Sequence, residues 1–346
     1  MCVPTRYDAT REDLAELLAG QPRFRVDQVL HGLYDDLASP AELTTLPKAL
    51  REQLEAALPP ALRIATEKSA DDGETTKWVF SLADSAMVET VLMEYDDRVT
   101  ACLSSQAGCA MGCTFCATGQ AGFTRNLEVG EIVEQFVVAA RAARPRRLSN
   151  IVFMGMGEPL ANVDRLFDAI RRLHGDLGLS ARRITVSTVG IIPGIKRLTD
   201  FELPVNLAVS LHAANDVTRT SLVPMNKRYP LADLHDACAA YVETSGRRLS
   251  FEWACIDGVN DTDLAARELA AFAISLKAHV NLIPLNPTPG YLVRGSTLAR
   301  VREFRDDLLN YGVNATIRRT RGVEIDAACG QLAAEVVRER IAIRPR

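Results

Sequence analysis

No apolar run in this sequence approaches the roughly 18 residues that would suggest a membrane span. Met1 to Asp13 mixes charged and polar residues and holds no apolar signal core, so the expected compartment is the cytosol, where thiols stay reduced. Positive charge is not in excess either: 40 Lys and Arg stand against 44 Asp and Glu, a net charge of −4, and no global field favours nucleic acid. Low-complexity segments are absent, and no repeat shows beyond a recurring strand-then-helix cadence. No second cysteine pair lies within knuckle distance of the Cys109–Cys116 run, which argues against a closed four-ligand zinc site.

What is present is ordinary in bulk and specific in one place. Apolar content of 47% and charged content of 24% suit a soluble globular chain, and 346 residues fit one large domain with a smaller appendage. Eight cysteines in a reducing compartment read as ligands, catalytic thiols or core residues, not as a disulfide framework. Cys109-Ala-Met-Gly-Cys113-Thr-Phe-Cys116 is a C-x3-C-x2-C triad, one thiolate short of a closed site. A [4Fe–4S] cluster held by three cysteines keeps one iron open, and S-adenosylmethionine (SAM) can chelate that iron through its amino and carboxylate groups. An electron from the cluster then splits the sulfonium and releases a 5′-deoxyadenosyl radical. The protein supplies ligands, orientation and exclusion of water.

Periodicity divides the chain into four parts. Residues 1–60 read as a helical accessory domain, with helical spacing over Asp13–Leu18, Val26–Tyr34 and Ala49–Leu58, broken by Gly20-Gln21-Pro22 and Pro59-Pro60. Residues 61–98 read as a small antiparallel extension with strands at Lys77–Leu82 and Met87–Tyr95. Over 99–330, strand candidates at Val99–Ser104, Asn150–Met154, Arg183–Ser187, Val205–Leu211, Leu249–Ile256, His279–Leu285 and Asn314–Arg319 alternate with amphipathic helices. That cadence predicts an α/β fold, a parallel sheet curled into a partial or complete TIM-like βα barrel, and residues 331–346 are left as a C-terminal helix or tail. Polar and glycine-rich residues gather just past the strands, where such a barrel places its active site: the cysteines, Gly155-Met156-Gly157-Glu158-Pro159, Ser187-Thr188, Ser210-Leu211-His212 and Asn286-Pro287. The arginine clusters at 141–147 and at Arg318, Arg319 and Arg321 read as solvated faces.

Together with Cys102 and the run Arg321-Gly322-Val323-Glu324-Ile325-Asp326-Ala327-Ala328-Cys329-Gly330, these motifs resemble the radical SAM adenine methyltransferases of ribosomal RNA and tRNA, over nearly the whole chain. The resemblance implies methylation at C2 of an adenine in the peptidyl-transferase region of 23S rRNA, and at C2 of the adenine beside the tRNA anticodon. It implies two SAM molecules per turnover, one as methyl donor and one as radical source, an electron donor such as flavodoxin or ferredoxin, and a monomer with no membrane partner. Cys329 would accept a methyl group from one SAM, lose a hydrogen atom from it to the adenosyl radical, and add the resulting carbon radical to the base. Cys102 would remove the ring proton and resolve the adduct, leaving a transient Cys102–Cys329 disulfide. Glu89 matches a glutamate proposed as proton acceptor, and its role overlaps that of Cys102. Gly157 and Glu158 would meet the SAM amino group, and Ser187, Ser210, Leu211, His212 and Asn286 fall where the family contacts the rest of SAM.

Alternatives stay open at this point. Read alone, Cys329 is as well a small residue in a turn, Cys102 a core residue, and Glu89 an ordinary polar residue of a hairpin. Cys2, Cys238 and Cys255 match no motif position, and Cys238 and Cys255 read as structural. A sister branch that methylates C8 and confers antibiotic resistance would keep every residue named. A glycyl-radical activating enzyme would use the triad and leave Cys102 and Cys329 without work. An iron–sulfur electron carrier or a zinc-stabilised RNA-binding module would consume no SAM. Asn226-Lys227-Arg228-Tyr229 and Arg125-Asn126 are candidate phosphate contacts, and Phe24, Arg25 and Tyr34 of the helical segment candidate RNA contacts.

Overall fold

The computed structural model describes residues 5–288 and 293–333. Cys2, and all but the first three residues of the expected C-terminal helix or tail, lie outside them. The chain opens with helices α1 (Arg11–Leu17), α2 (Phe24–Tyr34) and α3 (Lys48–Ala57). Thr10 starts α1 with a capping box: its hydroxyl accepts from the Asp13 amide, and Asp13 accepts from the Thr10 amide. Next come β1 (Arg63–Ala70), β2 (Thr75–Ser81) and β3 (Met87–Glu94), paired antiparallel in that order. β4 (Val99–Cys102) pairs antiparallel with β3 and then begins the parallel part of the sheet. A short hairpin of β5 (Gln106–Gly108) and β6 (Phe123–Asn126) brackets the cysteine loop and α4 (Ala117–Ala121).

From α5 (Val129–Ala142) onward strands and helices alternate as β7 (Asn150–Phe153), α6 (Val163–Gly175), β8 (Ile184–Thr188), α7 (Ile192–Thr199), β9 (Asn206–Ser210), α8 (Asp216–Leu222) and α9 (Leu231–Ser245). They continue as β10 (Leu249–Cys255), α10 (Asp263–Ser275), β11 (His279–Pro284), α11 (Leu298–Asn310) and β12 (Ala315–Ile317). The ten-stranded sheet runs β1-β2-β3-β4-β7-β8-β9-β10-β11-β12, parallel from β4 to β12. Its two edges do not pair among the described residues, yet side chains of β4, β7, β8, β10, β11 and β12 line one internal cavity. The sheet is therefore curled into an open, partial βα barrel, the α/β architecture the cadence predicts.

Strand β1 has no counterpart in the sequence reading. Its Arg-Ile-Ala-Thr-Glu-Lys-Ser-Ala is exposed along most of its length, so no apolar alternation marks it. Edge position explains this: one side pairs with β2 and neither face is buried.

The core is continuous. Leu33 and Leu54 of the N-terminal helices belong to the same buried cluster as Ile151, Val186, Val209, Phe251 and Trp253 of the barrel strands. Two smaller apolar clusters lie apart from it, one around Cys102 with Val91, Met156 and Leu332, the other around Cys113 with Phe115, Leu222 and Ile256. Both sit at the C-terminal ends of the strands, where the chemistry-bearing residues collect.

Candidate active site

β4 ends at Cys102, and the chain passes through β5 into the loop that carries Cys109, Cys113 and Cys116. α4 starts directly after Cys116, so the amides of Thr118 and Gly119 point at the Cys116 sulfur, while the Met111 amide serves Cys109. Such donors favour a thiolate, but burial dominates and raises all three thiols, Cys109 to about 12. A metal centre bound to these sulfurs would favour their thiolate forms against that burial. Among the described residues no three His, Cys, Asp or Glu side chains are grouped to hold a single metal ion. The three thiols instead line one open cleft, together with Gly157, Glu158, Ser187, Ser210, His212, Asn286 and Cys329.

Each polar group of the cleft has a local reason for its place. Gly157 has φ +99°, and a Cβ there would lie 2.5 Å from the Gln106 Cβ. Glycine alone allows that turn, in which the Glu158 amide donates to Gln106 Oε1 at 2.8 Å. The Glu158 carboxylate accepts from the Leu160 amide (3.0 Å) and the Val189 amide (2.8 Å). Burial still outweighs these bonds and pushes its pKa up to about 7. A buried carboxylate held so far from its ordinary range suits a cationic partner such as the ammonium of SAM. Burial lowers His212 to about 3, so the ring is neutral; Nδ1 accepts from the Ala254 amide at 3.0 Å, which leaves the proton on Nε2. Its ring meets Phe115 of the cysteine loop edge-on at 4.6 Å.

A second, adjoining chamber is lined by Cys102, Val91, Met93, Arg318, Arg321 and Leu332. Cys116, Asn286, Arg318 and Cys329 are among the residues that line both spaces. Cys329 thus stands with Cys116 where the cleft of the triad meets the chamber of Cys102. Both thiols are free. Asn286 Nδ2 donates to the Cys329 carbonyl at 3.1 Å, and the Ala117 amide, next to Cys116, donates to the Gly330 carbonyl at 2.8 Å.

Residues 103–270 match the model of the Radical SAM superfamily. A relative in Frankia casuarinae, named "Probable dual-specificity RNA methyltransferase RlmN", is 51% identical over 95% of this chain and 82% of its own length. A relative of the same name in Chloroflexus aurantiacus is 48% identical over 94% and 92%. The chain belongs to the RlmN family. A crystal structure titled as a radical SAM methyltransferase from Sphaerobacter thermophilus superposes with a TM-score of 0.92 at 50% identity, covering 96% of this chain and 99% of that one. Membership in the RlmN family of radical SAM enzymes brings a [4Fe–4S] cluster and SAM as cofactors, and the open three-thiol cleft with its buried Glu158 fits both.

Not every residue expected at the RlmN site lies in it. The Leu211 side chain is fully buried in the main core, and its amide donates to the Glu252 carbonyl, so only its backbone is near the cleft. Glu89 lines neither space; its Oε1 accepts from the Ala333 amide at 2.9 Å and its Oε2 lies 3.1 Å from Lys77 Nζ. Asn226 is buried and bonded to Arg219 and Asp216, and Arg125 is committed to Asp84 and Glu131, so neither is available to a phosphate. Arg318 and Arg321 overturn the reading of their cluster as a solvated face. The Arg318 guanidinium is charged and beside Cys329, and Arg321 is buried, paired with Glu74 and stacked 4.8 Å over the Tyr95 ring. Their adjacency to the Cys329 motif was the signal in the sequence that could have found them. Cys238 and Cys255 are buried in the core, as expected.

Proposed function

We propose that this chain methylates C2 of adenine in RNA, acting on 23S rRNA and on tRNA beside the anticodon, with Cys329 as methyl carrier and Cys102 as resolving thiol. The observation that carries this reading is the position of Cys329, shared between the cleft of the cysteine triad and the chamber of Cys102. C2 of adenine is an electron-poor sp² carbon that cannot attack a sulfonium methyl directly, so the methyl must first rest on a nucleophile. Cys109, Cys113 and Cys116 hold the cluster, which when bound supplies the electron that cleaves SAM to the adenosyl radical.

Glu158 receives the SAM ammonium, Gly157 lets the backbone approach, and Ser187, Ser210 and the Asn286 region meet the remaining polar groups of SAM. His212, neutral and fixed, packs edge-on against Phe115 of the cluster loop and so steadies that loop. Cys329 accepts the methyl through sulfur and later bonds through that carbon to the base. Burial pushes the Cys102 thiol up to about 12, and the Arg318 guanidinium, close enough to act on both Cys102 and Cys329, favours its charged form. Between the two groups expected to take the ring proton, geometry favours Cys102, which lines the chamber, over Glu89, which does not. Once the adduct radical has returned one electron to the one-electron couple that primed SAM cleavage and has lost its ring proton, the Cys102 thiolate attacks the Cys329 sulfur. The S–S bond forms as the Cys329 S–C bond breaks, and the electron pair left on carbon takes up a proton to give the methyl group. An adenine reaching this depth must leave its stack, and the helical segment 1–60 helps hold the surrounding RNA. The enzyme works as a cytosolic monomer fed by flavodoxin or ferredoxin.

The test is anaerobic reconstitution of the cluster followed by SAM, reductant and unmodified 23S rRNA or tRNA, with nucleoside mass spectrometry. The expected product is 2-methyladenosine, absent with Cys329→Ala. 8-Methyladenosine would overturn the regiochemistry, and SAM cleavage without any methylated adenine would overturn the substrate.

A further inference from the structure

The segment bearing Cys329 lies across the mouth of the barrel as a strap, and its fastenings differ on its two sides. Toward the cysteine loop, the Ala117 amide donates to Gly330 and the Thr118 hydroxyl to Leu332, at 2.8 and 2.9 Å. Toward the antiparallel extension, Arg321 pairs with Glu74 and the Gly322 amide donates to Asp71 at 2.9 Å, and nearer Cys329 the fastening is a buried ion pair. Lys77, on β2, is 2% exposed, and its Nζ lies 3.1 Å from Glu89 Oε2 on β3 while donating to the Asp326 carbonyl at 3.3 Å. Glu89 Oε1 accepts from the Ala333 amide at 2.9 Å. The pair therefore grips the strap at Asp326 and at Ala333, on either side of Cys329.

A lysine so deeply buried is retained only with partners that satisfy its charge, and here those partners are the strap and the carboxylate that holds it. Lys77 lines neither the cleft nor the chamber, so it touches no reacting atom. A hydrophobic residue of its length would fill the space yet remove the ammonium that the Asp326 carbonyl and the Glu89 carboxylate share. The strap could then slide, because apolar contact is not directional.

We propose that Lys77 is a positioning residue: its ammonium clamps the strap at Asp326, and through Glu89 at Ala333, so that Cys329 is held between the triad cleft and the Cys102 chamber. The inference rests on Cys329 being the methyl carrier and assigns the Lys77–Glu89 pair the task of setting where that carrier stands. The placement of one sulfur must serve two partners in turn, and a shift of about 1 Å costs on the order of a hundredfold in rate.

The test uses the full-length reconstituted enzyme and Lys77→Met, read by hydrogen–deuterium exchange and by steady-state kinetics on RNA. Exchange across 326–333 is expected to rise about tenfold while the β10 and β11 amides keep wild-type protection. The kcat is expected to fall at least about tenfold with KM for RNA unchanged. Unchanged exchange in the strap, or exchange that rises equally through the sheet, would overturn the proposal. Should the single variant not fold, Lys77→Met/Glu89→Gln removes both charges and keeps an acceptor for Ala333. Protection at Ala333 with exposure at Asp326 is then expected, and wild-type protection at both ends would overturn it. Wild-type enzyme whose Cys329 acquires no methyl from SAM would sink the carrier reading and leave the exchange result standing.

Discussion

Gly157 shows how much of the site depends on one missing side chain. Its φ of +99° and the 2.5 Å approach of Gln106 leave no room for a Cβ, and the next residue is the buried carboxylate Glu158. Gly157→Ala must move the turn that aims Glu158 and costs backbone strain of about 1–2 kcal/mol. SAM binding to the reconstituted protein, measured by calorimetry, is expected to weaken about tenfold or more; unchanged affinity would mean that Glu158 is not where the ammonium docks. The cysteine triad was legible from its spacing, because a ligand set is a property of residue type and separation. Arg318 was not: a guanidinium reads as surface until the fold brings it near two thiols. Glu89 illustrates the opposite limit, since its match to a family position says nothing about the Lys77 ammonium that engages it.

Elements are tied together by polar groups as well as by the core. Glu134, on α5, accepts from the Ala61 amide at 2.7 Å and so docks the start of the antiparallel extension. Burial raises its pKa from 4.5 to about 7 despite that bond. The folded chain thus binds this proton more tightly than the unfolded chain. The stability it contributes is complete below pH 4.5 and is lost as pH rises through 7. Glu134→Gln keeps the acceptor and removes the ionisation. Chemical denaturation is expected to show the variant more stable at pH 8, by on the order of 2–3 kcal/mol, and the two proteins converging near pH 5; parallel curves would contradict this. The βα cadence from β4 to β12 was readable because buried parallel strands are short apolar runs between amphipathic helices. β1 was not, because an exposed edge strand carries no such signature.

Across the full chain, the sheet order brings distant segments to one place. β4 delivers Cys102, the loop before α4 delivers the triad, and the strap after β12 returns to lay Cys329 between them. An acidic protein binding a polyanion must do so through local surfaces, and net charge alone pointed away from RNA. The motifs and their resemblance supplied what charge did not. Convergence of Cys329 and Cys102 on one chamber is the centre of the account, and a covalent trap tests it directly. In Cys102→Ala the carrier can reach the base but nothing resolves the adduct. The variant, incubated anaerobically with SAM, reductant and RNA and then digested with nuclease and protease, is expected to yield a peptide whose Cys329 carries an adenine nucleotide through one carbon. Full turnover to methylated RNA by that variant, or an adduct mapped to any other residue, would contradict the account.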